Sequence, residues 1–408
     1  MITRAVVVTG MGVVAPHGDS LTLLFDALMQ GRSAIHPVFR ELPKPAAAAT
    51  VAFDALRWFT KLQLAGVDRV SQLAVAAAEL AMQDAGAIGT VEPERIGIFA
   101  GCGMGGAAAL EAAYRSGNIQ AGGSGRVPPL TIPAFMPNAP ASHIAMRQGV
   151  QGPVLTYSVA CASSSLAIAE AAKAVQRGDV DLAIAGGSEA LIVPGVVMAW
   201  QAMQTLASFA PGEAADAVRP FAADRSGFAL GEGAAFVVLE SAERAEARGA
   251  KRYATLAGWG SSSDATHLTK PDSPGQARAL RQALKIADLA PRDVGYCNAH
   301  GTATRVGDPV EAAALAEVWG TDLGTLKVSS TKALHGHLLG AAGALEAVIT
   351  VMSLYRQQLP PNAHCSTVDS ACALNLILER GYGAPDIQTA ISNSFAFGGT
   401  NSVLLFKR

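Results

Sequence analysis

Short apolar runs and longer Ala-rich stretches alternate along the chain. The runs at Ala5–Thr9, Ile96–Ala100, Val154–Val159, Leu182–Ala185, Ala234–Leu239, Thr255–Trp259, Gly295–Ala299, Leu326–Ser329 and Ser402–Lys407 have the length and composition of buried strands. Between them, 71–85, 164–177, 276–288 and 343–357 carry apolar residues at helical spacing. Such alternation predicts an α/β protein with mixed sheets covered by helices. The Pro/Gly-rich stretch 117–140 reads as a surface excursion. A helix around 241–249, followed by Lys251–Tyr253, marks the expected divide, giving parts 1–248 and 249–408.

The two parts echo each other. VLTYSVACASSSLAIAEAAKAVQRG and LKVSSTKALHGHLLGAAGALEAVITVMSLYRQQ each read as a strand, a turn of small and polar residues, and a long Ala-rich helix. A duplicated fold would set Cys161 and the His335/His337 turn at equivalent places, near one another.

Composition sharpens this picture. Of 408 residues 50% are hydrophobic, 16% are charged and 42 are glycine, which suits a large interior of closely packed small-residue layers. Lys plus Arg is 31 against Asp plus Glu at 33, a balance that argues against nucleic acid or an anionic membrane surface as partner. Segment 182–200 comes nearest to a membrane span, but Ser188, Glu189 and Pro194 interrupt it, and MITRAVVVTG lacks a signal peptide's apolar region. A soluble, cytoplasmic protein is expected. The five cysteines (102, 161, 297, 365 and 372) show neither CxxC nor zinc spacing, so no disulfide framework and no metal site is expected.

Two stretches imitate a dinucleotide fingerprint: Gly101-Cys-Gly103-Met-Gly-Gly106, and Gly10-Met-Gly12-Val-Val-Ala15. The first lacks an acidic residue about 20 positions on to hold a ribose, and Pro16 and Gly18 break the helix the second would need. Tight strand-to-helix turns are the better reading.

Four places carry candidate chemistry. Cys161 sits where a strand hands over to a helix, and the dipole and free N–H groups there favour thiolate over thiol. In NAHGTATRVGDPVEAAAL, His300 ends a strand before a loop with Thr302 and Thr304, and Asp308 and Glu311 open a helix at Pro309. In SSTKALHGHLLGAAGALEA, Lys332, His335, His337 and Glu346 crowd an apolar turn and helix, where Lys332 and Glu346 are a natural ion pair. In NSFAFGGTNSVLLF, Gly398 and Gly399 can take positive φ and expose N–H donors, between bulky Phe395 and Phe397 and the last strand.

Taken in order, VACASSS, NAHGTATRVGDP, SSTKALHGHLLGAAGALEA and NSFAFGGTN resemble the elongating β-ketoacyl-acyl-carrier-protein synthases, and the resemblance spans essentially the whole chain. It implies a thiolase-type fold, two similar halves stacked as αβαβα layers. It further implies decarboxylative condensation of malonyl-carrier with an acyl group held on Cys161, in fatty-acid or specialised type II polyketide or polyene synthesis. By resemblance His300 and His337 are enolate donors, and Lys332 with Glu346 sets local charge, supported by Asp308 and Glu311. The N–H groups of Cys161 and Phe397 form the oxyanion hole, with Phe397 as gate. Thr302 and Thr304 meet the pantetheine arm, and Met104 limits chain length. The implied partners are acyl carrier protein, whose phosphopantetheine carries the substrate, and a second subunit, identical or a chain-length-factor homologue; no cofactor of the enzyme's own is implied.

Three positions depart from the family pattern. Ala396 replaces a usual glycine, His335 a small hydroxyl residue, and Gln204–Ala207 a stretch that often carries an arginine near the pocket mouth. Lys61, Arg69, Arg126 or Lys270 is then a candidate for the carrier's docking patch. The competing readings are a degradative thiolase, which would need a second cysteine near the C-terminus, and a non-catalytic partner subunit.

Overall fold

The computed structural model describes residues 4–408. Ten strands make its main sheet: β1 (Val6–Val14), β2 (Ile96–Gly101), β3 (Val154–Tyr157), β4 (Leu182–Glu189), β5 (Gly233–Ser241), β6 (Ala254–Ser263), β7 (Tyr296–Asn298), β8 (Lys327–Ser329), β9 (Thr389–Phe395) and β10 (Thr400–Lys407). Their spatial order is β8-β7-β9-β10-β6-β1-β5-β4-β2-β3. Counted outward from the middle, β1-β5-β4-β2-β3 and β6-β10-β9-β7-β8 follow the same rule, so the second five strands repeat the path of the first five. The halves join where Val6–Val8 pair antiparallel with Ala254–Leu256.

Alternation along each strand sorts side chains into layers. In β4, Leu182 and Ile184 pack outward against helix α1 (Arg69–Ala85), while Ala183 and Ala185 pack inward against helix α2 (Ser163–Arg177). In β10, Val403 and Leu405 pack outward against α3 (Ser273–Ala287) and α4 (Gly307–Trp319), while Leu404 and Phe406 face the same central cluster, which also holds α5 (Ala342–Arg356). Outer helices, half-sheet, central helices, half-sheet and outer helices give the αβαβα stack. Leu339–Arg356 is long and apolar enough to cross a membrane, but 89% of that window is buried as the protein's central helix.

The centre is tight because its residues are small. A Cβ on Gly101 would lie 2.2 Å from the Ser164 nitrogen, so the end of β2 meets the start of α2 with only a hydrogen between them. Gly343 plays the same part between α5 and α2: a Cβ there would meet Ser165 at 2.7 Å. The GxGxxG likeness is thus a packing device. All five cysteines are buried and free.

Elements missed in the sequence are short or polar. β9 was expected only as the turn before the last strand, yet all seven of its residues, TAISNSF, are buried. A three-stranded sheet of His36–Val38, Ala46–Ala49 and Leu230–Gly231 roofs the site. Ala46–Ala49 has the composition of a helix, but pairing and burial override that propensity. The stretch 117–140 is mostly exposed and holds short helical turns at Ile119–Ala121 and Thr131–Phe135 before a helix, Ala139–Gln148, begins at its end.

Candidate active site

The strand β3 ends just short of Cys161, which lies in a single helical turn, Ala160–Ala162, that leads into α2. Ala160 holds φ 48°, a left-handed conformation that a non-glycine residue adopts only under constraint. That reversal aims the thiol into a cavity of about 870 Å³, where Cys161, His300, His337, Thr302, Thr304, Phe395 and Phe397 all contribute to the wall. Cys161 is the only cysteine among the described residues lining it.

The second half delivers the imidazoles. Nε2 of His337 lies 3.0 Å from Sγ of Cys161, and the His300 and His337 rings stand edge to face with centroids 5.5 Å apart. The backbone N–H of Leu339 reaches Nδ1 of His337 at 3.3 Å. An N–H can only donate, so neutral His337 carries its proton on Nε2, facing the sulfur. Burial, then the charge of Lys332, pushes the pKa of both His300 and His337 well below the usual 6.5, and both rings are neutral at working pH. His337 therefore meets Cys161 as a neutral donor.

The thiol departs from the sequence expectation. Burial drives the pKa of Cys161 up to about 12, outweighing Lys332, the Phe397 N–H and its own N–H, which all favour thiolate. Position at a helix start does not by itself make a thiolate here, because desolvation by burial outweighs it.

Lys332 and Glu346 form the expected pair, an ion pair buried at 0% and 1% exposure. Burial raises Glu346 to about 7 against the pull of Lys332. Glu311 accepts the backbone N–H groups of His300 at 2.8 Å and Gly301 at 2.7 Å, and the Asn393 amide at 3.0 Å. It thereby fixes the end of β7 that presents His300. Asp308 accepts the Phe221 N–H at 2.7 Å beside Arg225. The Thr302 and Thr304 hydroxyls lie 3.1 Å apart on the cavity wall.

Some expected residues lie elsewhere. Met104 does not line this cavity; its side chain is half-exposed, and its N–H, like that of Gly103, is drawn to Glu189. Gly399 lines the cavity but Gly398 does not, bonding instead to the Leu268 carbonyl. Positive φ falls on these two glycines and not on Ala396. Arg69 is spent on Glu232 at 2.7 Å, while Lys61 and Arg126 are exposed away from the cavity. Lys270 does reach the cavity, joined by Lys44 and Arg305, which sequence reasoning missed.

Also missed were Trp200, stacked on Phe397 with centroids 6.1 Å apart, and Phe228, edge-on to both Trp200 and His337. Glu189, read in the sequence only as a break in an apolar segment, is a buried carboxylate accepting N–H bonds from Gly103, Met104 and Gly340, with its pKa raised by burial to about 7. Its only signal in the sequence was an acid within an apolar strand.

Known proteins share this architecture. Residues 3–245 match the family model described as the beta-ketoacyl synthase N-terminal domain, and residues 253–366 match its C-terminal domain. A 3-oxoacyl-[acyl-carrier-protein] synthase 2 of Staphylococcus aureus is 37% identical over 99% of this chain and 98% of its own. Nodulation protein E of Rhizobium meliloti is 40% identical over 99% of each. Among solved structures, the ishigamide ketosynthase/chain length factor superposes with TM-score 0.92 at 30% identity, covering 99% of both chains. With a cysteine facing two imidazoles across a duplicated fold, and both domain models matched, this chain belongs to the beta-ketoacyl synthase family of condensing acyltransferases.

Proposed function

We propose that Cys161 takes an acyl group from an acyl carrier protein and that His300 and His337 stabilise the enolate that extends it. The observation carrying this reading is the His337 Nε2–H, 3.0 Å from Sγ, in a cavity shared with His300. In the first step Sγ attacks the acyl thioester, the acyl–sulfur bond passes to Cys161, and its proton leaves on the carrier thiol. Malonyl-carrier then loses CO2, and its enolate attacks the acyl carbonyl. Collapse of that adduct and one proton return Cys161 as thiol and a 3-oxoacyl-carrier two carbons longer.

Each group has a part in this scheme. The N–H groups of Cys161 and Phe397 face the acyl oxygen as oxyanion donors. Two neutral imidazole donors suit an enolate because they spend no binding energy on the malonyl carboxylate that must depart. Thr302 and Thr304 receive the pantetheine arm, the carrier's phosphopantetheine supplying the reach, and Lys44, Lys270 and Arg305 meet its acidic carrier. The reading requires no cofactor of the enzyme's own and suits a soluble, cytoplasmic protein.

We place the divide between the halves at 248/249, in keeping with the repeated strand order and the two family matches. The second subunit, identical or a chain-length-factor homologue, fits at β3, a sheet edge with Val154 and Leu155 exposed. Ala396, His335 and Gln204–Ala207 incline the assignment to a specialised polyketide or polyene pathway over housekeeping elongation. A thiolase reading lacks its second cysteine, since Cys365 and Cys372 lie off the cavity.

Mass spectrometry of the protein after incubation with carrier-bound acyl chains of several lengths tests the scheme. Acyl groups are expected on Cys161, with neither label nor condensation in Cys161→Ala; undiminished condensation by that variant would end the claim.

A further inference from the structure

His335 is a second imidazole, two residues before His337, that the scheme above does not use. It ends a short helix, Lys332–His335, and is completely buried. Its Nδ1 lies 2.8 Å from the Gly336 carbonyl and its Nε2 lies 2.9 Å from the Thr331 hydroxyl. A carbonyl only accepts, so Nδ1 carries the proton, and Nε2 takes the hydrogen of the Thr331 hydroxyl. Burial, with the charges of Lys332 and His17, lowers its pKa to about 3, so the ring stays neutral.

The peptide it grips is the one that turns toward the site. Gly336 has φ 70°, and a Cβ there would sit 2.9 Å from the Leu230 carbonyl, so the backbone passes close under the roof sheet. Immediately after, the His337 N–H donates to Ala229 at 2.7 Å and its carbonyl accepts from Gly231 at 2.9 Å. The roof thus fixes the His337 backbone on one side. The carbonyl end of that same Gly336–His337 peptide is held by the ring of His335, so roof and ring grip it from opposite ends.

We infer that His335 is a positioning residue whose doubly bonded ring holds the Gly336 peptide and so aims the His337 donor at the reacting centre. This rests on the reading of His337 as an enolate donor. A shift of about 1 Å at a donor can cost on the order of 10²-fold in rate, so a residue without contact to substrate can act strongly through its neighbour.

The test separates half-reactions in the whole protein. Asn at 335 can still donate to the Gly336 carbonyl from the Nδ1 position; Gln reaches toward Thr331 only; Leu keeps bulk and loses both bonds. His335→Leu is expected to slow malonyl-carrier decarboxylation about 10–100-fold, with acyl loading of Cys161 changed far less. His335→Asn is expected to recover most of that loss and His335→Gln little. Equal decarboxylation in the Asn and Gln variants would overturn the inference, whether or not the Leu variant folds, as would losses that follow thermal stability in both half-reactions alike. His337→Ala run alongside keeps the two readings apart. If it decarboxylates normally, the donor reading fails; if it is inactive while the three 335 variants match wild type, only the positioning role fails.

Discussion

The turn after β3 and the turn after β8 occupy matching places in the two halves, yet they have become chemical opposites. The first is lean: one short helical turn, a positive φ at Ala160, and a sulfur at the mouth of α2. The second is long and polar, carrying Lys332, His335 and His337, with Glu346 answering from α5. The lean turn exposes a single reactive atom, and the polar one supplies the surroundings that make the atom useful. Duplication provides two equal sockets facing one another, and function comes from filling them unequally.

The sharpest way to break that comparison is at the polar turn's own support. Lys332→Met leaves Glu346 buried without its partner, and denaturant unfolding is expected to show a loss of about 3–5 kcal/mol. Lys332→Met with Glu346→Leu removes both charges and should regain most of it while condensation stays impaired. Stability recovering together with full activity would show that the pair serves packing alone.

Next comes the donor. His337→Ala is expected to lower decarboxylation about 10²–10³-fold, while the Cys161 turn, untouched, still becomes acylated. Loss of acylation to the same degree would mean that the polar turn builds the nucleophile itself.

A graded effect is a pH dependence that belongs to the buried histidines of the second half. His300, His335 and His337 have folded pKa values depressed below 6.5, so below that pH the unfolded chain binds protons the folded one refuses. For His335 the contribution to stability is present above pH 6.5 and is lost as pH falls toward its folded value of about 3, by up to about 1.4 kcal/mol per pH unit. Unfolding midpoints between pH 6.5 and 4 should therefore slope less in His335→Asn than in the parent. An unchanged slope would show that His335 titrates alike in both states.

Much of this was legible in the sequence because the signals were local. Cys161 before an Ala-rich helix, the paired Lys332 and Glu346, and the His300 loop could each be located from neighbours along the chain, and the echo between halves correctly brought Cys161 next to His337. What stayed hidden depended on distant partners. β9 reads as polar because its serines and Asn393 are buried only by the strands and helices around it. The thiol pKa turned on cavity burial, which no spacing reveals. Met104 looked placed for the cavity until Glu189, from another strand, claimed its loop. Trp200 reaches Phe397 across the fold, a contact without any periodic signature.

The near-contact of α2 with α5 at Gly343 has a consequence for how this enzyme can vary. The sulfur travels with one of those helices and the imidazole turn with the other, so the gap between them is set by a lone hydrogen atom where any other residue would bring carbon. Selection for turnover therefore also guards this inert contact, which touches no substrate but works as the ruler of the machine.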